Sequence, residues 1–177
     1  ELMGRTLFGL GKYKDSERIF NELIDHNPFS KQYWNALASA QLMNEDYSGA
    51  VTSSEYAIAI DPKDPDGINS KANGLFRLGN YEEAAKYFER YVSLMPDDEF
   101  AMLHQGVCLM NLGRAKEAQP VLNRALQTTE ENGNTLYRPQ IYQELAFCYS
   151  DLDQPERAQQ MLDYADLMDC DHTDIQI

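Results

Sequence analysis

Between Asp64 and Met95 apolar residues recur at three- and four-residue spacing, the period of an amphipathic helix, and the pattern breaks at Leu78-Gly79-Asn80-Tyr81 before it resumes. Glycine and asparagine at the break mark a turn, so the stretch predicts two successive helices, the second closed by Pro96. The same punctuation stands at Pro62 and Pro28, each 34 residues earlier, and each of these prolines also ends an apolar helical pattern. A helix pair repeated at such a period buries its apolar face only against its neighbours, so the chain reads as a repeat array.

With Pro62 set as position 32 of a 34-residue unit, residues 31–64 place Trp34 at position 4, Leu37 at 7, Ala38 at 8, Tyr47 at 17, Ala50 at 20 and Ala57 at 27. Residues 65–98 continue with Ala72 at 8, Leu78 at 14, Gly79 at 15, Tyr81 at 17, Ala84 at 20, Phe88 at 24 and Pro96 at 32. Residues 99–132 follow with Gly106 at 8, Leu112 at 14, Gly113 at 15, Ala118 at 20, Leu122 at 24 and Ala125 at 27. This succession resembles the tetratricopeptide repeat family over nearly the whole chain. The resemblance implies an all-α fold, a right-handed superhelical solenoid of antiparallel helix pairs, with about five units in one domain over residues 1–177.

The first unit, residues 1–30, is incomplete, with Gly4, Leu10, Gly11, Tyr13, Phe20 and Pro28 in register. Past residue 132 the phase slips. Ala158, Leu162 and Ala165 fit positions 20, 24 and 27 only if a fifth unit spans 139–172, which leaves 133–138 as an insertion and 173–177 as a mobile tail. Gly133 and Asn134 predict that the insertion is a loop. Asn80 with Glu83, and Asp153 with Glu156, read as capping boxes. Pro65, Pro139 and Pro155 read as first residues of helices, whereas Pro120 inside a helix predicts a kink or a lost hydrogen bond.

Composition narrows the partners. Twenty-nine acidic against 15 basic residues give a formal charge of −14, which repels a nucleic-acid backbone and anionic lipid alike. No apolar run is long enough to insert in a membrane. Three cysteines do not make a disulfide framework: Cys108 and Cys148 both fall at position 10, facing the packed interior, and read as reduced thiols. That usage points to a cytoplasmic location, with a periplasmic one as the alternative if a targeting segment precedes Glu1.

No catalytic constellation is present: the sequence has no glycine-rich phosphate loop, no Cys-x-x-Cys and no His-Glu-x-x-His, so neither enzyme activity nor a cofactor is expected. His26, His104 and His172 are scattered, and His104 reads as a passive surface histidine. Asp169, Cys170, Asp171, His172 and Asp174 could be imagined as a metal cluster but read as a solvated acidic tail, so no metal is expected. Tyr13, Tyr47 and Tyr81 recur at one position and read as packing residues.

The family resemblance implies a binding groove on the first helices, at positions 2, 5, 9, 12 and 13. In the second unit these include Asn35 and Ser39; in the third, Asp66, Asn69, Asn73, Phe76 and Arg77. In the fourth they include Phe100, Leu103 and Val107, and in the fifth Gln143, Phe147 and Asp151. Asn35, Asn69 and Asn73 carry donors and acceptors that suit an extended peptide, while Phe100, Leu103, Val107 and Phe147 would supply apolar anchoring. The basic clamp by which cochaperone members of the family grip a C-terminal carboxylate has no counterpart here.

The reading is therefore a non-catalytic scaffold or adaptor that holds a partly apolar and basic segment of a partner protein. Two alternatives stand beside it. The first three units resemble small acidic tetratricopeptide chaperones of bacterial secretion, which hold apolar client segments. The ends of the array also offer a route to a homo-oligomer.

Overall fold

The computed structural model describes the backbone of residues 1–173 and the side chains of residues 1–168. The acidic cluster at 169–174 and the tail at 173–177 singled out above lie outside the described side chains. Ten helices and no strand occur among the described residues. The chain divides into two compact units, Glu1–Leu94 and the residues from Met95 onward.

The first unit contains α1 (Leu2–Gly9), α2 (Tyr13–His26), α3 (Lys31–Met43), α4 (Tyr47–Ile60), α5 (Pro65–Arg77) and α6 (Tyr81–Leu94). Each helix packs on the next, and α3 also packs on α5. Small residues let the helices approach: Ala38, Ala50, Ala57, Ala72 and Ala84 are fully buried, and larger side chains such as Phe20, Ile68 and Phe88 fill the space between. Trp34 donates its indole N–H to the Pro28 carbonyl at 2.7 Å and stacks on Tyr56, the two ring centres 4.4 Å apart. The recurrent tyrosines pack as expected. Tyr13 meets Phe8 edge-on and Tyr81 meets Phe76 edge-on, while Tyr47 takes the Arg77 guanidinium over its ring.

Lys71 is nearly buried within α5, 2.8 Å from the Glu55 carboxylate and over the Tyr87 ring. Burial pushes its pKa down, but hydrogen bonding to Glu55 and Tyr87 outweighs this, and the net shift is upward. One cation thereby ties α4, α5 and α6 together.

The second unit contains α7 (Glu99–Asn111), α8 (Ala115–Glu131), α9 (Arg138–Asp151) and α10 (Pro155–Thr173). The phase slip is shared out rather than confined to a loop. Helix α8 has 17 residues where α6 has 14, α9 has 14 where α7 has 13, and the linker between α8 and α9 is lengthened as well. Helix α8 runs unbroken through Pro120, whose nitrogen carries no hydrogen to donate to the Lys116 carbonyl. Cys108 and Cys148 are both buried free thiols; burial pushes the Cys108 pKa up to about 12, and the Cys148 thiol donates to the Ala115 carbonyl.

Helix starts follow side-chain chemistry. Asp46, Asp64 and Asp98 each precede a helix and accept from the backbone N–H three residues on. Asn80 does the same toward Glu83 at a long 3.5 Å. Pro65 and Pro155 begin α5 and α10, while Pro139 stands second in α9. Asp153 is a correction to the capping-box reading. It has φ +58 and lies two residues before α10, so it occupies the left-handed turn position held by Gly11, Gly79 and Gly113 in the other pairs.

Candidate functional site

In the first unit, α1, α3 and the start of α5, with Phe20 of α2, supply the residues around two adjoining hollows. The larger, about 520 Å³, is lined by polar groups that include Arg5, Lys31, Asn35, Asp64, Asp66 and Asn69. The smaller, about 260 Å³, is lined by Arg5, Phe8, Phe20, Ala36 and Ser39, and its walls are mainly apolar. Arg5, Ala36 and Ser39 line both, so a polar compartment opens beside an apolar one.

The floor of the polar compartment is a fixed network. Lys31 Nζ lies 2.6 Å from Asp61 Oδ2 and 3.0 Å from Asp64 Oδ1. Hydrogen bonds to Asp61 and then Asp64 raise the lysine pKa, and the bond from Lys31 lowers that of Asp61. Asp64 Oδ2 accepts from the Gly67 N–H at 2.9 Å and from Asn35 Nδ2 at 2.6 Å. Asn35 is 9 % exposed: its amide N–H is committed to Asp64, whereas the sequence register had the amide facing a ligand, and its buried Oδ1 has no hydrogen-bond partner among the described residues.

The other amides are more available. Asn73 Nδ2 donates to both the backbone carbonyl and the side-chain oxygen of Asn69 at 2.9 Å, which orients the Asn69 amide on α5. Both are half-buried, as is Ser39, and Asp66 is exposed at the mouth. Phe76 packs edge-on against Tyr81 and Phe88, and Arg77 donates to the Tyr47 hydroxyl, so these two serve the helix contacts rather than the hollows.

Arg5 and Phe8 were not among the groove residues expected from sequence. The signal was there, because in the register of the incomplete first unit they hold positions 9 and 12, the same positions that pick out Ser39 and Phe76. Lys31 and Ala36 were missed because they stand at positions 1 and 6, outside the set taken from the family resemblance.

The second unit presents a different face on α7 and α9. Leu103 is only 5 % exposed and belongs to the core, a correction to its expected role as a surface anchor: an apolar side chain at position 5 sinks between the helices, while Gln143 at the same position of α9 stays exposed. Phe100 and Val107 are half-buried. Phe100 packs against His104 and Tyr137, with ring centres 4.0 and 5.3 Å away. His104 is thus no passive surface residue; its Nδ1 lies 2.9 Å from the Phe100 carbonyl, and burial lowers its pKa. Phe147 stands out at 59 % exposed, between buried Ala146 and Cys148.

Two family models described as tetratricopeptide repeat match residues 2–65 and 75–138. The chain belongs to the tetratricopeptide repeat family. Among curated relatives, Protein O-mannosyl-transferase TMTC1 of Mus musculus is 24% identical over 134 residues, 73% of this chain and 14% of the relative. Protein FlbA of Caulobacter vibrioides is 27% identical over 122 residues, 69% of this chain and 20% of the relative. This tetratricopeptide chain thus spans a fifth or less of the length of those relatives.

Among solved structures, MamA has a TM-score of 0.86 at 12% identity, with 97% of this chain and 96% of that chain covered. MamA from Desulfovibrio magneticus RS-1 has a TM-score of 0.87 at 16% identity, covering 96% and 92%. YrrB, described as a TPR protein with an unusual peptide-binding site, has a TM-score of 0.82 at 19% identity, covering 96% and 84%. At these identities the likeness is one of tetratricopeptide fold, a fold that generally serves as a scaffold for protein–protein contact. Among the described residues, no helix is long and apolar enough to cross a membrane.

Proposed function

We propose that this chain is an interaction module that holds an extended segment of a partner protein across α1, α3 and α5 of the first unit. The observation that carries the reading is the pair of adjoining hollows, one polar and one apolar, joined at Arg5, Ala36 and Ser39. An extended peptide carries alternating backbone donors and acceptors that suit Asn69 and Ser39, and its side chains leave at regular spacing, so one can enter the apolar hollow beside Phe8 and Phe20. Each backbone bond contributes roughly 1 kcal/mol net, whereas burying a leucine-sized side chain contributes about 1.5–3 kcal/mol. The anchor in the apolar hollow therefore sets affinity, and the amides set register. No catalytic role belongs to this reading.

A displayed library of random twelve-residue peptides, selected on the full chain, tests it. Ala36→Trp fills the junction of the two hollows and is expected to weaken the selected peptides at least tenfold, with Asn69→Ala shifting their register preference. Selected peptides that bind Ala36→Trp as tightly as the parent chain would remove this site from consideration.

A further inference from the structure

Asparagine followed by glycine is the dipeptide in which the backbone can attack its own side chain, because the glycine nitrogen has no neighbouring Cβ to block the approach. The chain has two such steps, Asn73-Gly74 in the first unit and Asn132-Gly133 in the second. Their settings are opposite. Asn73 is half-buried in α5, with its Nδ2 donating at 2.9 Å to both the carbonyl and the side-chain oxygen of Asn69. Gly74 lies inside the same helix, where the regular ladder holds its N–H, and it is pressed on α4: an added Cβ would stand 2.8 Å from Val51 Cγ2 and 3.2 Å from the Tyr47 carbonyl oxygen. A ring closed at this step would have no room.

Asn132 is exposed at the C-cap of α8, and Gly133 follows in the left-handed region at φ +67. Nothing lies within 4 Å of a Cβ added at Gly133, so the space that a ring needs is open. The groups that take part in the step are loosely held. The Gly133 N–H reaches the Glu130 carbonyl at 3.3 Å and Asn132 Nδ2 reaches the Asp97 carbonyl at 3.4 Å, both longer than an ordinary N–H···O bond. Helix ends also fray, and fraying at Asn132 frees its backbone to turn the side-chain carbonyl carbon toward the Gly133 nitrogen.

We propose that Asn132 is a site of spontaneous covalent modification, converted to isoaspartate and aspartate through a succinimide while Asn73 is spared. The Gly133 nitrogen bonds to Asn132 Cγ, the Cγ–Nδ2 bond breaks, and Nδ2 leaves as ammonia with the proton shed by the Gly133 nitrogen. One water then opens the ring at either carbonyl. The product cannot be held as the amide was. A carboxylate has no hydrogen to donate to the Asp97 carbonyl, and its charge falls at the negative, C-terminal end of α8, in the same turn as Glu130 and Glu131. Isoaspartate in addition carries the backbone through the side chain, one methylene longer, at the entry to residues 133–138. Conversion therefore loosens the linker that holds Asn134 on Glu99 and Tyr137 on Phe100.

The full chain, incubated at physiological temperature and mildly alkaline pH, is digested and both Asn-Gly peptides are followed by mass spectrometry. The Asn132 peptide is expected to gain the mass of an amide-to-acid conversion, with isoaspartate exceeding aspartate, at a rate at least about tenfold above that of the Asn73 peptide in the same digest. Asn132→Gln, whose longer side chain would have to close a larger ring, should hold the mass of that peptide constant. Asn132→Asp stands in for the aspartate product, and hydrogen exchange over residues 133–138 is expected to quicken at least about threefold in it.

Equal rates for the two peptides in the folded chain would overturn the inference, because the fold would then make no distinction between α5 and the end of α8. An Asn132 peptide that stays intact in the folded chain yet converts in urea would overturn it too, by showing that the α8 cap protects the amide. A mass gain that persists in Asn132→Gln would place the chemistry at another residue of that peptide. Unchanged exchange over 133–138 in Asn132→Asp would remove the consequence drawn for the linker. Conversion is read on the parent chain itself, so the comparison of the two peptides stays decisive even if a variant folds poorly.

Discussion

The side-chain amide of Asn35 in α3 donates to the carboxylate of Asp64, the residue that caps α5, across 2.6 Å. Asp64 is 3 % exposed and also holds the Gly67 N–H and the Lys31 ammonium, so one carboxylate fastens the start of one helix to the side of another. Asp64→Ala is expected to cost about 2–3 kcal/mol, from a lost cap and a lysine left without its inner partner. Asn35→Ala should cost about 1–2 kcal/mol. Urea unfolding of both single variants and the double variant should show a coupling of about 1 kcal/mol. Strict additivity would mean that the bond contributes nothing of its own.

The turn between paired helices adopts positive φ in all five pairs, at Gly11, Glu45, Gly79, Gly113 and Asp153. A side chain in this left-handed region crowds the backbone, and glycine removes the strain. Glu45→Gly and Asp153→Gly are therefore expected to raise stability by about 0.5–1 kcal/mol each, and Gly79→Ala to lower it by about 1 kcal/mol. Thermal unfolding of the three variants checks the signs. Destabilisation by both glycine substitutions would show that the Glu45 and Asp153 side chains do more than occupy the turn.

How much of this was legible beforehand differs between turn, core and site. The 34-residue period and the position of each turn follow from apolar spacing and from Gly79, Gly113 and the prolines, because these residues act locally on the backbone. The surroundings of Asn35 do not. A helical register says which side of its own helix a residue takes, but not that Asp64, 29 positions later, returns to within hydrogen-bond reach. Leu103 illustrates the complementary gap: position 5 is a surface position for Gln143 and a core position for a leucine. Asp153 was misread because an aspartate three residues before Glu156 resembles a helix cap, and only its φ shows it standing in for glycine.

Close packing of α7 on α8 depends on Gly106. An added Cβ there would stand 2.4 Å from Leu122 Cδ2 and 2.6 Å from its Cγ, and Leu122 is itself fully buried with nowhere simple to move. Alanine would gain up to about 1 kcal/mol of helix propensity and lose more to overpacking. Gly106→Ala is expected to destabilise by a net ~1–2 kcal/mol in denaturant unfolding. A stabilised variant would mean that Leu122 has a second rotamer within reach.

The half-buried Glu144 carboxyl on α9 links stability to pH. Burial raises its carboxyl pKa, so the folded chain holds that proton more tightly than the unfolded chain, and the ionised side chain opposes folding. The sign follows: the penalty is absent below the ordinary carboxyl range and grows as pH climbs through the raised folded value. Glu144→Gln should therefore stabilise the protein at neutral pH by ~0.5 kcal/mol, a small figure because the group is only part-buried and solvent screens it. The gain should shrink to nothing near about pH 3, where both states carry a protonated carboxyl. Glu17 also has a raised pKa, but it is common to both proteins and cancels in the difference. Urea unfolding of parent and variant across this pH range measures the gain directly, and a loss at neutral pH would mean that the carboxylate has a stabilising partner in solution.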